Sequence, residues 1–510
     1  MNPNRNNIDS KIGEQVKQNL PYILLQKLVT PLLNLFISVI IMRKLSVDSY
    51  GIYNVYLALI GYITLFGAFG IPSVLQRFLP EFYSKDKDKF YELSRIALLL
   101  CPFVTAVLSS FVFIFPDVFM SFFKLHEAIS LFKYFVFFML LRVEIELFEL
   151  VFVSGFFHKF VSVGRVFYVI IRGISIYVLL SRGYGLIGLI GAEILSIFLQ
   201  FVFYGVLYYR KLRIKLTHTN KYSLRKEKGR LLRYAFLSYF NEMGARILDV
   251  STDFLVISSY LGASYTGLYA FANKVMQLAQ NFSPNNIFRN IIRPAFFAMY
   301  VDSADRLNYL FNIVFKISLL FYFPLFLVIV VLGDKIILYF FDAKFLTALP
   351  VLRVVAFFYV LNSFQFPLGL VVQSIEKVQA NLFSKVFSIY NLVADIVVIK
   401  YYGILGVAAV TGSAILLKNL FIYFYVRKYI HLKIDIKYSL VIVFHSLILF
   451  LLSFLERPFI RNDKTLLIAM IVNAIFYLFL ITRVSPFSQI EKASLYNMLP
   501  GLIGKYKMLG

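Results

Sequence analysis

The sequence predicts an all-α, polytopic membrane protein of about fourteen transmembrane helices, built as two pseudo-symmetric six-helix lobes followed by two further C-terminal helices. Three observations predict it. Of 510 residues, 60% are hydrophobic and only 15% are charged, with a mean hydropathy of +0.77, which is more apolar surface than a water-soluble fold can bury. The apolar residues gather in runs of about twenty, the length that crosses the hydrocarbon core of a bilayer. Several segments of the first half also return in the second half at a nearly constant offset.

The first run, residues 20–42, follows a polar start holding Arg5, Lys11 and Lys17 and is too long for a cleaved signal segment, so it reads as a retained helix. Further runs fall at 52–71, 96–115, 129–153, 166–180 and 186–207, before a basic stretch interrupts the pattern. Runs at 234–261, 268–287, 310–332, 351–372, 382–399 and 405–426 follow, and two more at 438–455 and 466–481 complete the set. This divides the chain into a lobe over 1–209, a basic linker over 210–233, a second lobe over 234–430, and two extra helices with a tail over 431–510.

An even number of crossings puts both termini on one side. Placing them in the cytoplasm puts most Lys and Arg in inside loops, as the positive-inside bias requires. The linker is the densest basic segment, with Arg210, Lys211, Arg213, Lys215, Lys221, Arg225, Lys226, Lys228, Arg230 and Arg233. Topogenic lysines and anionic lipid headgroups account for the formal net charge of +25, so nucleic acid is not an expected partner. The single cysteine, Cys101, excludes an intramolecular disulfide and a multi-cysteine metal cluster.

The repeat is carried by three pairs of segments. Leu45-Ser46-Val47-Asp48-Ser49-Tyr50-Gly51-Ile52-Tyr53 leads into the second helix, and Leu261-Gly262-Ala263-Ser264-Tyr265-Thr266-Gly267-Leu268-Tyr269 leads into the eighth, with Leu, Gly and Tyr in register. Tyr184-Gly185-Leu186-Ile187-Gly188 is answered by Tyr402-Gly403-Ile404-Leu405-Gly406, and Arg165-Val166-Phe167 by Lys385-Val386-Phe387. Pro80 and Pro294 match with a two-residue slip. Units with an even number of crossings enter the membrane in the same direction, so an axis along the membrane normal relates them, and a central cleft between rocking lobes is the simplest mechanism.

The Leu-Ser-x-x-x-Tyr-Gly-Ile-Tyr lead-in, the Phe69-Gly70-Ile71-Pro72 and Arg77-Phe78 exit, and the Tyr-Gly-x-x-Gly turn resemble polysaccharide-exporting members of the multidrug/oligosaccharidyl-lipid/polysaccharide (MOP) exporter superfamily, in particular its O-antigen or capsule repeat-unit flippase group. The resemblance implies a flippase, not an enzyme. It would carry a polyprenyl-pyrophosphate-linked oligosaccharide from the inner to the outer leaflet of the cytoplasmic membrane by alternating access. The implied partners are that lipid-linked oligosaccharide, membrane lipids and a glycan polymerase. Lipid II flippases of the superfamily are similar in helix number but carry several arginines in the membrane part of the first lobe, where this chain has Lys27 in its first helix. A multidrug exporter of the same superfamily is the other alternative. A membrane glycan polymerase would need a larger extramembrane loop than the linker supplies. The sequence has no phosphate-binding Gly-x-x-x-x-Gly-Lys-[Ser/Thr] loop, so ATP is not bound by that device and no cofactor is expected; an ion gradient of H⁺ or Na⁺, the lipid gradient or a partner is left to drive transport.

Charges inside apolar helices cost a few kcal/mol when lipid-exposed, so they mark cavities or ion pairs. In the seventh run Glu242, Arg246, Asp249 and Asp253 are spaced four, three and four apart, which confines them to a stripe about 60° wide on a continuous helix. Two readings stay open. One is a cavity-lining stripe whose carboxylates Glu242, Asp249 and Asp253 bind the coupling ion while Arg246 meets substrate; the other is an ion-pair ladder. In the fourth run, Arg142, Glu146 and Glu149 share a face, with Glu144 nearly opposite, and an Arg142 to Glu146 bridge with helix packing is the preferred reading. A buried pyrophosphate needs cationic donors. The candidates are Lys27, which snorkelling also explains, Arg172, Arg246, Lys274 and Lys418, with Arg246 and Lys274 leading. Arg77, Arg289 and Arg293 are candidates for gathering an anionic headgroup at the inner leaflet, with topogenic anchoring as the alternative. Asn362, Gln365 and Gln373 suit either sugar hydroxyls or helix-to-helix hydrogen bonds.

Overall fold

The computed structural model describes residues 3–125, 129–211, 224–289, 292–293, 296, 304–377, 379–489 and 491–492, and among them it holds helices and turns with no strand. Arg213, Lys215, Lys221 and Pro294 lie outside the described residues. Ten helical stretches among the described residues are long and apolar enough to cross a membrane. The longest, Gln379–Val426, contains two of the expected runs joined at Gly403, where φ is +55°. The earlier Tyr-Gly turn has the same geometry, with Gly185 at φ +52°. Glycine adopts this left-handed backbone without the penalty a side chain would bring.

The chain packs as two compact units, Met1–Ala270 and Phe271–Gly510. The first holds α1 (Pro3–Lys44), α2 (Val47–Ala68), α3 (Ile71–Lys85), α4 (Lys87–Ile114), α5 (Pro116–Phe122), α6 (Ile129–Ser154), α7 (His158–Ser181), α8 (Gly185–Lys211), α9 (Lys228–Ile247) and α10 (Val250–Leu261), with the start of α11 (Ala263–Asn281). Here α7 lies between α1 and α8, α6 packs on α4 and α8, and α10 lies along α2 while α9 lies along α3. Those last two pairings carry the compact division past the 210–233 linker to residue 270.

The second unit includes α12 (Pro284–Ile287), α13 (Ala304–Ile336), α14 (Leu349–Leu361), α15 (Gln365–Ser374), α16 (Gln379–Phe383), α17 (Val386–Val426), α18 (Ile436–Glu456) and α19 (Asp463–Arg483). In it α13 packs on α14 and α18, α14 on α17, and α18 on α19. A core of Phe311, Leu368, Val371, Val426 and Ile442 joins α13, α15, α17 and α18.

Local chemistry sets the helix ends. Ser46 caps α2 by accepting the Ser49 N–H at 3.0 Å. At the other end Phe69 and Gly70 both adopt left-handed backbone, and Pro72 starts α3 in its first turn. Several expected runs divide, 268–287 among them, where α11 ends at Asn281 and α12 starts at Pro284. The run at 234–261 is not one helix, because Asp249 leaves helical geometry (φ −85°, ψ 148°) and caps α10 by accepting the Ser251 N–H at 3.0 Å. The run at 351–372 likewise splits into α14 and α15 after Leu361.

The repeated lead-in segments meet each other inside the first unit. A Cβ at Gly51 would lie 1.9 Å from the Ala263 carbonyl oxygen, and one at Gly267 would lie 2.1 Å from that of Val47. Ser264 donates to Asp48 at 3.1 Å. Gly51 and Gly267, Val47 and Ala263, and Asp48 and Ser264 are the equivalent positions of the two segments, so the contact is reciprocal. Reciprocal contacts of this kind are what a local two-fold produces.

Candidate functional site

Packing of aromatic side chains on α9 positions the site. Phe69, at the end of α2, stacks on Tyr239 with ring centroids 4.5 Å apart, and Phe78 of α3 meets Tyr234 edge-on at 5.2 Å. One turn beyond Tyr239, α9 then presents Glu242 and Arg246 to a cavity of about 240 Å³ enclosed by α2, α3, α6 and α9. Leu65, Ala68, Pro72, Val143, Leu147 and Leu150 form its apolar wall, and Thr64, Ser73, Gln76, Glu146, Glu242 and Arg246 supply its polar groups. Ser73 donates its hydroxyl to Glu242. Arg246 is 3.8 Å from Asp249, a loose pair in which the arginine side chain is about one-third exposed. Two carboxylates and one guanidinium thus share a small space with hydroxyl and amide groups. Such a space can hold a cation between the carboxylates, or an oxyanion against the arginine.

Only part of the expected stripe reaches this cavity. Glu242 and Arg246 line it. Asp249 is exposed at the helix break, where its carboxylate serves the α10 cap. Asp253 is fully buried and accepts the Tyr269 hydroxyl at 2.6 Å. The break between α9 and α10 turns these last two away from the face on which a continuous helix would have placed them. Glu146 is the counterpart finding. The sequence predicts packing for its face of α6, yet it lines the cavity, while Glu149 binds Arg165 at 2.7 Å and Tyr204 at 3.0 Å. Ser73 and Gln76 went unread because α3 lies beyond the apolar run that marked the second helix.

The other candidates sit elsewhere. Arg172 is paired with buried Glu193 at 2.7 Å, and Glu193 also accepts Tyr53 at 2.6 Å and Tyr168 at 3.1 Å, so this group ties α2, α7 and α8 together. Lys27, on α1, is half-buried and is not among the cavity-lining residues. Arg77 is exposed on α3 and pairs with Glu81 at 3.3 Å. In the second unit, Lys274 donates to Gln277 at 3.1 Å, Lys418 is half-buried on α17, Arg289 lies 5.6 Å over the Phe366 ring, and Arg293 is exposed. Asn362 accepts Asn419 at 2.9 Å, a helix-to-helix hydrogen bond. Among the described residues, no group of three or more His, Cys, Asp or Glu side chains could hold a metal ion.

A family model described as "Polysaccharide biosynthesis protein" matches residues 16–299, more than half of the chain and the whole of this cavity. The chain belongs to this family. No curated protein sequence matches it. Among solved structures, the polysaccharide biosynthesis chain is similar in fold to the lipid II flippase MurJ in an inward closed conformation. That match has a TM-score of 0.68 and 18% identity, over 93% of this chain and 99% of the other. It is also similar to an inward-facing multidrug resistance MATE family transporter of the MOP superfamily, with a TM-score of 0.59 and 14% identity over 79% and 97%. A MATE structure in the straight conformation gives a TM-score of 0.51 and 16% identity over 81% and 95%. Family and fold agree with the MOP resemblance in the sequence. These relatives are transporters and flippases.

Proposed function

We propose that this polysaccharide biosynthesis family member is a flippase for a polyprenyl-pyrophosphate-linked oligosaccharide, an O-antigen or capsule-type repeat unit, moved from the inner to the outer leaflet of the cytoplasmic membrane by alternating access. The observation that carries the reading is the cavity of the first unit, where Arg246 stands beside Glu146, Glu242, Ser73 and Gln76 against an apolar wall of Leu65, Ala68, Val143, Leu147 and Leu150. Arginine meets a pyrophosphate oxygen with a charge-assisted hydrogen bond, while the hydroxyl and amide groups suit sugar hydroxyls. The two carboxylates are the residues that take up H⁺ or Na⁺, and their charge balances the arginine when no substrate is bound. Asp249 and Asp253 then serve the helix break and its packing, and Lys274 and Lys418 remain candidate contacts within the second unit. Both termini face the cytoplasm on the positive-inside bias, with Arg77, Arg289 and Arg293 near the inner leaflet and a glycan polymerase taking the product outside.

Deletion of the coding region is the test. Lipid-linked oligosaccharide building up on the inner leaflet, with drug resistance unchanged, is the expected result. Loss of drug resistance without that accumulation would establish the multidrug exporter reading. Accumulation of lipid II instead would establish the reading suggested by the MurJ-like fold.

A further inference from the structure

We propose that Gly61 and Tyr62 of α2 are positioning residues for Arg246, which hold its guanidinium and its backbone at the break between α9 and α10. The inference rests on the reading of Arg246 as the cavity cation. Gly61 lies three, four and seven residues before Thr64, Leu65 and Ala68, so it shares the α2 face that walls the cavity. A Cβ at Gly61 would stand 3.1 Å from Arg246 Nη1, 3.3 Å from Cζ and 3.5 Å from Nη2. The planar group therefore lies flat against the bare backbone of α2, in the space any other residue would fill. The next residue holds the other end. The Tyr62 hydroxyl reaches the Arg246 carbonyl oxygen at 3.4 Å and the Thr252 hydroxyl at 2.5 Å, and Thr252 itself donates to that carbonyl at 2.9 Å. At the break this carbonyl accepts the Asp249 N–H at 3.0 Å in a tightened last turn, and the Thr252 hydroxyl, itself in contact with the Tyr62 hydroxyl, adds a second hydrogen bond to it. Adjacent residues of α2 thus secure both the side chain and the main chain of one arginine, and the length of the side chain at 61 sets how far the guanidinium enters the cavity.

The experiment uses the full chain in lipid nanodiscs with two readouts. The first is the rate at which phenylglyoxal modifies Arg246, followed by peptide mass spectrometry. The second is affinity for farnesyl pyrophosphate, a soluble polyprenyl pyrophosphate. Gly61→Leu is expected to change the modification rate several-fold and weaken binding about tenfold, as Arg246→Ala does. The double variant Gly61→Leu/Arg246→Ala should bind no more weakly than Arg246→Ala alone. Gly61→Ala should give the same trend at smaller size and serves if the leucine variant does not fold. Gly205→Ala, whose Cβ meets nothing within 4 Å, is the control. An unchanged Arg246 modification rate in folded Gly61 variants overturns the proposal. So does an altered rate with unaltered binding when Arg246→Ala itself binds weakly. If the rate changes but Arg246→Ala binds like wild type, the seat stands and the pyrophosphate reading of Arg246 falls.

Discussion

Two charged clusters, one in each compact unit, are arranged in opposite ways. In the first, Arg246, Glu146 and Glu242 border an open space. In the second, Lys316 is fully buried and its ammonium is taken up by Asp435 at 2.6 Å and Glu491 at 2.9 Å, with the Tyr438 ring 4.7 Å away. Asp435 also caps α18, and Glu491 accepts the Ser488 N–H at 2.7 Å, so one lysine fastens α13, the loop before α18 and the segment after α19. In the sequence Lys316 stands within an apolar run much as Glu146 and Arg246 do, while its partners Asp435 and Glu491 lie just outside the last two runs. Charges that close on each other hold helices together, whereas charges that border unfilled volume are available to a ligand. The Arg172 and Glu193 group shows that the first unit also contains the closed kind.

That contrast can be broken most sharply at the closed cluster. Lys316→Met should cost about 3–5 kcal/mol, since it strands the buried Glu491 carboxylate. Thermal unfolding in detergent should show a large drop, and a melting temperature equal to wild type would remove the distinction. At the open cluster, Arg246→Ala should leave the melting temperature almost unchanged while transport falls about tenfold or more, the loss of one charge-assisted contact to a desolvated phosphate. Flipping assays in proteoliposomes, normalised to inserted protein, read this directly. Three residues away, Asp249→Asn should preserve both stability and most transport, because asparagine caps a helix about as well as aspartate; a transport loss matching that of Arg246→Ala would return Asp249 to the ion-binding set.

The smallest effect concerns the end of the linker. Leu224 donates its N–H to Glu92 at 3.0 Å, and Glu227 binds Lys89 at 3.1 Å. The hydrogen bond from Lys89 holds the Glu227 carboxyl below its usual range. A depressed carboxyl pKa adds stability that is present above the unfolded value and is lost as pH falls through the folded one. Amide protection factors over residues 224–230, corrected for the base-catalysed intrinsic exchange rate, should therefore be indifferent to pH near neutrality and fall only below about pH 4. A loss of protection already between pH 7 and 5 would show that another group holds this segment.

How much was legible in advance depends on how local the signal is. Glu242 and Arg246 keep the shared face that their spacing predicts, because both precede the break and share the turns of α9. Asp249 and Asp253 leave that face because the spacing rule assumes a continuous helix. The caps that end this one involve Ser251 and Thr252, ordinary residues in a long apolar run. Glu146 was visible as a charge, but whether it faced a bridge or a cavity depended on α3 and α9, which are distant in sequence.

By itself the sequence determined the helical class, the membrane setting and the repeated turns, because hydropathy over about twenty residues and the backbone freedom of glycine act within one segment. Tertiary structure alone decided which intramembrane charges neutralise each other and which line a cavity. A charge's cost and its role depend on the distance to its partners, and those partners arrive from helices that periodicity cannot place beside it.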